Sequence, residues 1–163
     1  DLLEMYCRLK SHFFIASESG VILESELTGT PTLIVNVTDP IGSHPVRKGW
    51  LFLLKRVIDH KNGHPLTIQD MLAEEYQRTN LRDLERYYYI DNTPAEILDG
   101  VMEMIETLSS QRSESPLQRQ HREMVTNASN YLWDRFYYTQ KWGADGGFIG
   151  DSCIADSYAQ KYA

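Results

Sequence analysis

Apolar and polar positions along the chain alternate between short runs of buried type and amphipathic stretches. "DLLEMYCRLKSH" places Leu2, Leu3, Tyr6 and Leu9 on one face of a helix. "HFFIAS" is an apolar, aromatic-rich run suited to a strand buried on both faces. After a polar loop at 17–20, "VILESELTG" is long enough for two helical turns, and Gly29 suits the position just past a helix end. "TPTLIVNV" is a second β-branched run. Strand, loop, helix and strand within about 25 residues predict a right-handed βαβ crossover.

Farther on, 39–45 is a loop, and "GWLFLLKRVIDH" reads equally as a strand or as a buried helix. Asn62-Gly63 marks a turn, and Thr67 with Asp70 forms a capping pattern ahead of Met71 and Leu72. "YYYID" reads as a last or edge strand. Thr93, Pro94 and Glu96 make the clearest helix start, followed by Ile97, Val101, Met104, Ile105 and Leu108 as one buried face. "SSQRSESP" is polar, and Leu117 to Trp142 reads as a long helix with Leu117, His121, Met124, Val125, Ala128, Leu132 and Phe136 facing one way. A Gly-rich tail then turns helical. The expected division is an α/β unit at 1–108, a linker at 109–116 and a helical extension at 117–163. The first residue is Asp1, inside a helix under way, so an N-terminal part of the α/β unit is expected to be missing.

Charge narrows the partners. The 163 residues carry 16 Lys and Arg against 23 Asp and Glu, a net charge of −7. A surface of that sign repels phosphate backbones and argues against nucleic-acid binding. No apolar stretch has the length of a bilayer span and no signal peptide is visible, so a cytoplasmic location is expected. Cys7 and Cys153 read as reduced thiols in that setting.

The loop at 17–20 carries the candidate chemistry. Ligands of open α/β sheets sit outside the carboxyl ends of the strands, and here such an end opens a helix whose first amides face outward. Ser17 and Ser19 add hydroxyl donors, and Gly20 permits close backbone approach. These suit a diphosphate. Glu18 does not, so its side chain should turn away or read a hydroxyl. A serine cap with nothing bound is the alternative. Glu24, about one turn into the helix, could accept from ribose hydroxyls or be a solvated helical residue. His44 lies in the loop after the second strand, as a donor-sugar contact or a solvated residue. His60 and His64 have a metal-site spacing but bracket a turn. Tyr87, Tyr88, Tyr89, Tyr137, Tyr138 and Trp142 are expected to pack between the last helix and the sheet, with sugar stacking as the alternative. Arg112, Arg119, Arg122 and His121 read as a charged helix face, or else as an acceptor or peripheral membrane-surface patch.

"FFIASESG", "GTPTLIVN", "LLKRVIDHKNGHPLTIQDML" and "DNTPAEILDGVMEMIETL" together resemble the C-terminal part of a group of bacterial glycosyltransferases with GT-B-like architecture. The resemblance covers about residues 3–108, with a weaker echo at "GFIGDSCIADSY"; the Ser-rich loop and "DNTPAEI" are its most specific parts. It implies a Rossmann-like βαβ half-domain, the donor-binding half of a two-domain enzyme, that moves a sugar from a nucleotide-sugar donor to an acceptor in glycan or surface-polysaccharide synthesis. By resemblance Ser17, Ser19 and Gly20 hold the donor diphosphate, and Asn36 closes the second strand within reach of the same cleft. Lys55 adds a cation, or else is a core-edge lysine with a buried stem. Glu24 matches a ribose-reading glutamate by its distance from Gly29-x-Pro31. The general base would belong to the missing facing domain, so no catalytic residue is assigned here. No Asp-x-Asp motif occurs, and neither metal nor further cofactor is expected. A non-catalytic interaction module, or an epimerase on the same architecture, are the rival readings.

Overall fold

In the computed structural model, which describes residues 2–41, 49–80, 83, 85–110, 113–136 and 153–162 (the side chains of 8, 21, 23, 26 and 129–136 aside), the two most apolar runs lie side by side. These are β2 (Thr32–Val37) and β3 (Leu51–Leu54), and every residue of the two except half-buried Asn36 is buried. β1 (Phe14–Ser17) pairs with the outer side of β2, and β7 (Cys153–Ile154) with the outer side of β3, all parallel, in the order β1-β2-β3-β7. The molecule is therefore α/β with a four-stranded parallel sheet. α2 (Val21–Thr28) crosses from β1 to β2, and Gly29 follows it at φ 69°, the left-handed conformation expected past a helix end.

β1 corrects one expectation. It is an edge strand rather than one buried on both faces: Ala16 is buried, but Ile15 remains 44% exposed. The aromatic-rich run signals a strand, yet burial on its second face depends on a layer that the run itself cannot specify.

Parallel register sorts the sheet into two faces. Leu33 opposite Leu51 puts Leu33, Leu51 and Leu53 on one face, and Ile34 opposite Phe52 puts Ile34, Phe52 and Leu54 on the other. α5 (Pro94–Ser110) covers the first face, with Gly100 so close that an added Cβ would lie 3.3 Å from Leu53 Cδ1. α6 (Pro116–Phe136) covers the second, where the His121 ring packs 5.6 Å from that of Phe52. Helices thus flank the sheet on both sides, as a parallel sheet requires. Within α5, Met104 is fully buried and Ile97 and Val101 half-buried, but Ile105 and Leu108 are 46% and 37% exposed, so the buried stripe is narrower than its apolar pattern.

The ambiguous run at 50–60 resolves into two strands of different sheets. β3 ends at Leu54, and after Lys55 alone β4 (Arg56–Asp59) begins a three-stranded antiparallel sheet, β5 (His64–Pro65) to β4 to β6 (Tyr87–Ile90). Gly63, at φ 68°, turns the β4–β5 hairpin. α3 (Ile68–Leu72) starts at the expected Thr67–Asp70 capping box, and α4 (Glu74–Thr79) follows it. Tyr87 packs edge-on to Tyr76 of α4 with centroids 5.1 Å apart, beside Val57 and Met71. Tyr87 and Tyr89 therefore serve this small second core, not the last helix, while Tyr88 is exposed against His60; Tyr137, Tyr138 and Trp142 lie outside the described residues.

Residues 117–163 supply a strand as well as helices, and Val125, Ile154, Tyr158 and Ala159 share the core of β2 and β3. α6 opens on a capping box: Ser115 Oγ accepts from the Gln118 amide, and Gln118 Oε1 accepts from the Ser115 amide. Leu117, Met124, Val125 and Ala128 face the core as expected, while the side chains of Leu132 and Phe136, and residues 137–142, lie outside the described residues. α7 (Asp156–Tyr162) runs antiparallel to α5, tied at one end to Glu103 and at the other to Glu96. Glu103, 6% exposed, accepts from the amides of Asp156 and Ser157, the Ser157 hydroxyl and the Gln118 side chain. A carboxylate is the complement that a helix start calls for.

Candidate functional site

The carboxyl ends of β1, β2 and β3 form one edge of the parallel sheet, and most residues expected to bind a ligand meet along it. Ser17 closes β1, and Ser19 and Gly20 lead into α2; all three are exposed. Among the described residues, neither the Ser17 nor the Ser19 hydroxyl has a hydrogen-bond partner. The Ser19 carbonyl accepts from the Ile22 amide, which starts the helical turn. Gly20 has neither a positive φ nor any atom within 4 Å of where a Cβ would stand. Glycine is an ordinary residue just ahead of a helix, and the open space here also lets a ligand approach its backbone closely.

Glu18 turns away from this opening. Its Oε2 accepts from the Thr38 hydroxyl at 2.5 Å just past β2, and its Oε1 is buried without a donor. The Thr38 carbonyl in turn accepts from the Tyr76 hydroxyl at 2.9 Å, and burial pushes that phenol's pKa up. The carboxylate thus reads a hydroxyl, but one of the protein's own.

Asn36 and Lys55 reach the same edge and are already engaged. Asn36 sits at φ 60°, a left-handed conformation that asparagine tolerates better than most residues. Its amide donates to Asn92 Oδ1 at 2.7 Å, its own Oδ1 accepts from the Asn92 amide at 2.6 Å, and Asn92 Nδ2 donates to the Leu54 carbonyl at 2.7 Å. This reciprocal clamp joins the ends of β2 and β3 to the entry of α5. Lys55 Nζ lies 2.7 Å from Asp91 Oδ1, and the lysine side chain is 22% exposed. It is a cation at this edge, paired with an exposed carboxylate.

Beside Lys55, the α5 entry and the last turn of α7 meet. The Thr93–Glu96 capping box forms as expected, with Glu96 Oε2 accepting from the Thr93 amide and hydroxyl. Glu96 Oε1 accepts from Lys161 Nζ and from the Tyr162 hydroxyl. Burial works against the charge of this carboxyl, which is 4% exposed, but those donors prevail and take its pKa to about 2. Arg56, first residue of β4, sets its guanidinium carbon 5.7 Å from the centre of the Tyr162 ring. Sequence reasoning passed over Thr38, Asp91, Asn92, Arg56 and Tyr162. Asn92 carried a signal in the Asp-Asn pair before the capped helix; Arg56 and Tyr162 lie too far apart in the chain for any spacing to join them.

The remaining candidates scatter. Glu24 is exposed in the first turn of α2, and His44 lies outside the described residues. His60 and His64 are exposed on the β4–β5 hairpin, His60 against Tyr88. Arg119 and Arg122 flank Glu114, with Arg122 bonding both its oxygens, whereas His121 is buried against Phe52 and so belongs to the core side of α6, not to a charged face; Arg112 lies outside the described residues. Cys7 is exposed and Cys153 half-buried, both as thiols. Among the described residues no cluster of His, Cys, Asp or Glu could hold a metal ion, and no helix is long and apolar enough to cross a membrane. The edge therefore offers hydroxyls, helix-start amides and cations, the donor set that binds an oxyanion through hydrogen bonds. Among known protein families, curated proteins and solved structures, none matches this chain.

Proposed function

We propose that this chain is the donor-binding half of a glycosyltransferase, with the diphosphate of a nucleotide sugar seated at the Ser17–Gly20 turn. The observation that carries the reading is the pair of exposed hydroxyls of Ser17 and Ser19, unpartnered among the described residues, beside a glycine with open space around it. Backbone amides at the start of α2 would add hydrogen bonds to the leaving diphosphate, which grows more negative as the glycosidic bond breaks. Lys55, freed from Asp91, would offer a positive charge across the same edge. Asn36 is a positioning residue in this reading, because its side chain is spent on Asn92. The acceptor and the general base would come from a second domain facing this edge.

The test is a titration of the 15N-labelled chain with uridine and guanosine diphosphates and their sugars. Saturable shifts centred on the amides of Ser17, Ser19 and Gly20, weakened about tenfold or more by joint Ser17→Ala and Ser19→Ala substitution, are expected from the loss of two hydrogen bonds to a charged group. Binding that the double substitution leaves intact would remove the diphosphate from this turn. A non-catalytic docking module is the second reading, favoured by the exposure of Leu2, Leu3, Met5, Tyr6 and Leu9 on α1 (Leu2–Lys10). It calls for no response to any nucleotide.

A further inference from the structure

We infer that Arg56 is an oxyanion-binding residue at the mouth of the sheet, placed to take a carboxylate or phosphate group. This goes beyond the diphosphate turn and stands on separate observations. Arg56 is half-buried, its Nε is enclosed without an acceptor, and among the described residues its guanidinium has no carboxylate partner, which leaves its two Nη groups, neither of them sealed, as the side an anion can reach. That is unusual in a chain where acidic residues outnumber basic ones 23 to 16. A charged donor withdrawn from water and left unbonded is costly, and such groups in native proteins call for an explanation.

The nearby carboxylates are committed elsewhere. Asp91 faces Lys55 at 2.7 Å. Glu96 has one oxygen on Thr93 and the other on Lys161 and Tyr162, so both of its oxygens are taken by other donors. The Tyr162 ring supports the guanidinium, which limits its rotamers before any ligand arrives. The place is also right. Arg56 follows the end of β3, and Tyr162 lies at the end of α7 that points to the mouth, beside the entry of α5. A planar fork at such a place matches the paired oxygens of a carboxylate or phosphate.

The Nε–Hε resonance of Arg56 in the 15N-labelled full chain reads this directly. Inorganic phosphate and glucuronate are titrated separately, and at least one should shift that resonance and the amides of Lys161 and Tyr162 along a saturating curve. Saturation by glucuronate alone assigns a carboxylate, and by phosphate alone a phosphate group. Arg56→Gln should abolish the response at the Lys161 and Tyr162 amides, and Arg56→Lys should weaken it about tenfold, the difference between a fork and a point charge. No saturable response to either anion, or equal titration of those amides in Arg56→Gln, overturns the inference. A chain that ignores nucleoside diphosphates but answers at Arg56 would lose the donor reading alone.

Discussion

At the residue scale, asparagine recurs where the sheet edge meets α5, and each has a distinct task. Asn36 tolerates φ 60° and closes a reciprocal pair with Asn92. Asn36→Ala should therefore cost about 2 kcal/mol, read by urea unfolding, from left-handed strain plus the Asn92 backbone amide left without its acceptor. An unchanged midpoint would mean the clamp contributes nothing. Glu96 makes a pH prediction. Its carboxyl titrates near 2 when folded and near the usual 4.5 when unfolded, so the unfolded chain binds the proton first as pH falls. The stabilisation is complete above about pH 4.5 and fades towards pH 2, a change on the order of 3 kcal/mol. Asp59, whose carboxyl the hydrogen-bonded Arg86 guanidinium lowers despite opposing burial, and Glu114, lowered by Arg122 in the same way, add to the same acid sensitivity. Glu96→Gln should lower stability at pH 7 and flatten, without abolishing, the acid slope of thermal midpoints. The capping role of Glu96 was legible from Thr93-Pro94 before it; its bonds to Lys161 and Tyr162, 65 and 66 residues away, were not.

Elements were legible in proportion to how local their causes are. Caps and turns at Thr67, Thr93, Gly29 and Gly63 rest on a few adjacent residues, and each stands where its chemistry put it. Sheet membership is non-local. Nothing within "LFLLKRVID" says that the first four residues join a parallel sheet and the last four an antiparallel one, because the partners β2 and β6 decide it. Likewise β7 is two residues long, too short for any periodic signal, and exists through its pairing with Leu51 and Phe52. Packing between elements makes its own prediction at Gly100, where α5 lies on Leu33 and Leu53. Gly100→Leu should destabilise by about 1–3 kcal/mol in chemical unfolding, because the helix must lift from the sheet and the gain in helix propensity is smaller than that. A neutral result would mean that α5 is free to slide.

For the whole molecule, the last ten described residues matter more than their place at the chain end suggests. β7 and α7 bring Ile154, Tyr158 and Ala159 into the central core and satisfy two buried carboxylates of α5. Removing 153–163 should abolish cooperative thermal unfolding, as near-ultraviolet circular dichroism would show, since Glu103 would keep its charge and lose three of its four donors and Glu96 two of its four. Retention of a sharp transition would reduce α7 to an accessory. The mouth was partly legible on the same grounds: Ser17 to Gly20 announced themselves as a contiguous turn, whereas the arginine side of the edge is assembled from β4, α5 and α7 together. Lys55 stands alone between the parallel sheet and the antiparallel one. Because one residue joins the two sheets, a tilt of the smaller sheet about it would carry Arg56 and Lys55 past the ends of β1 and β2.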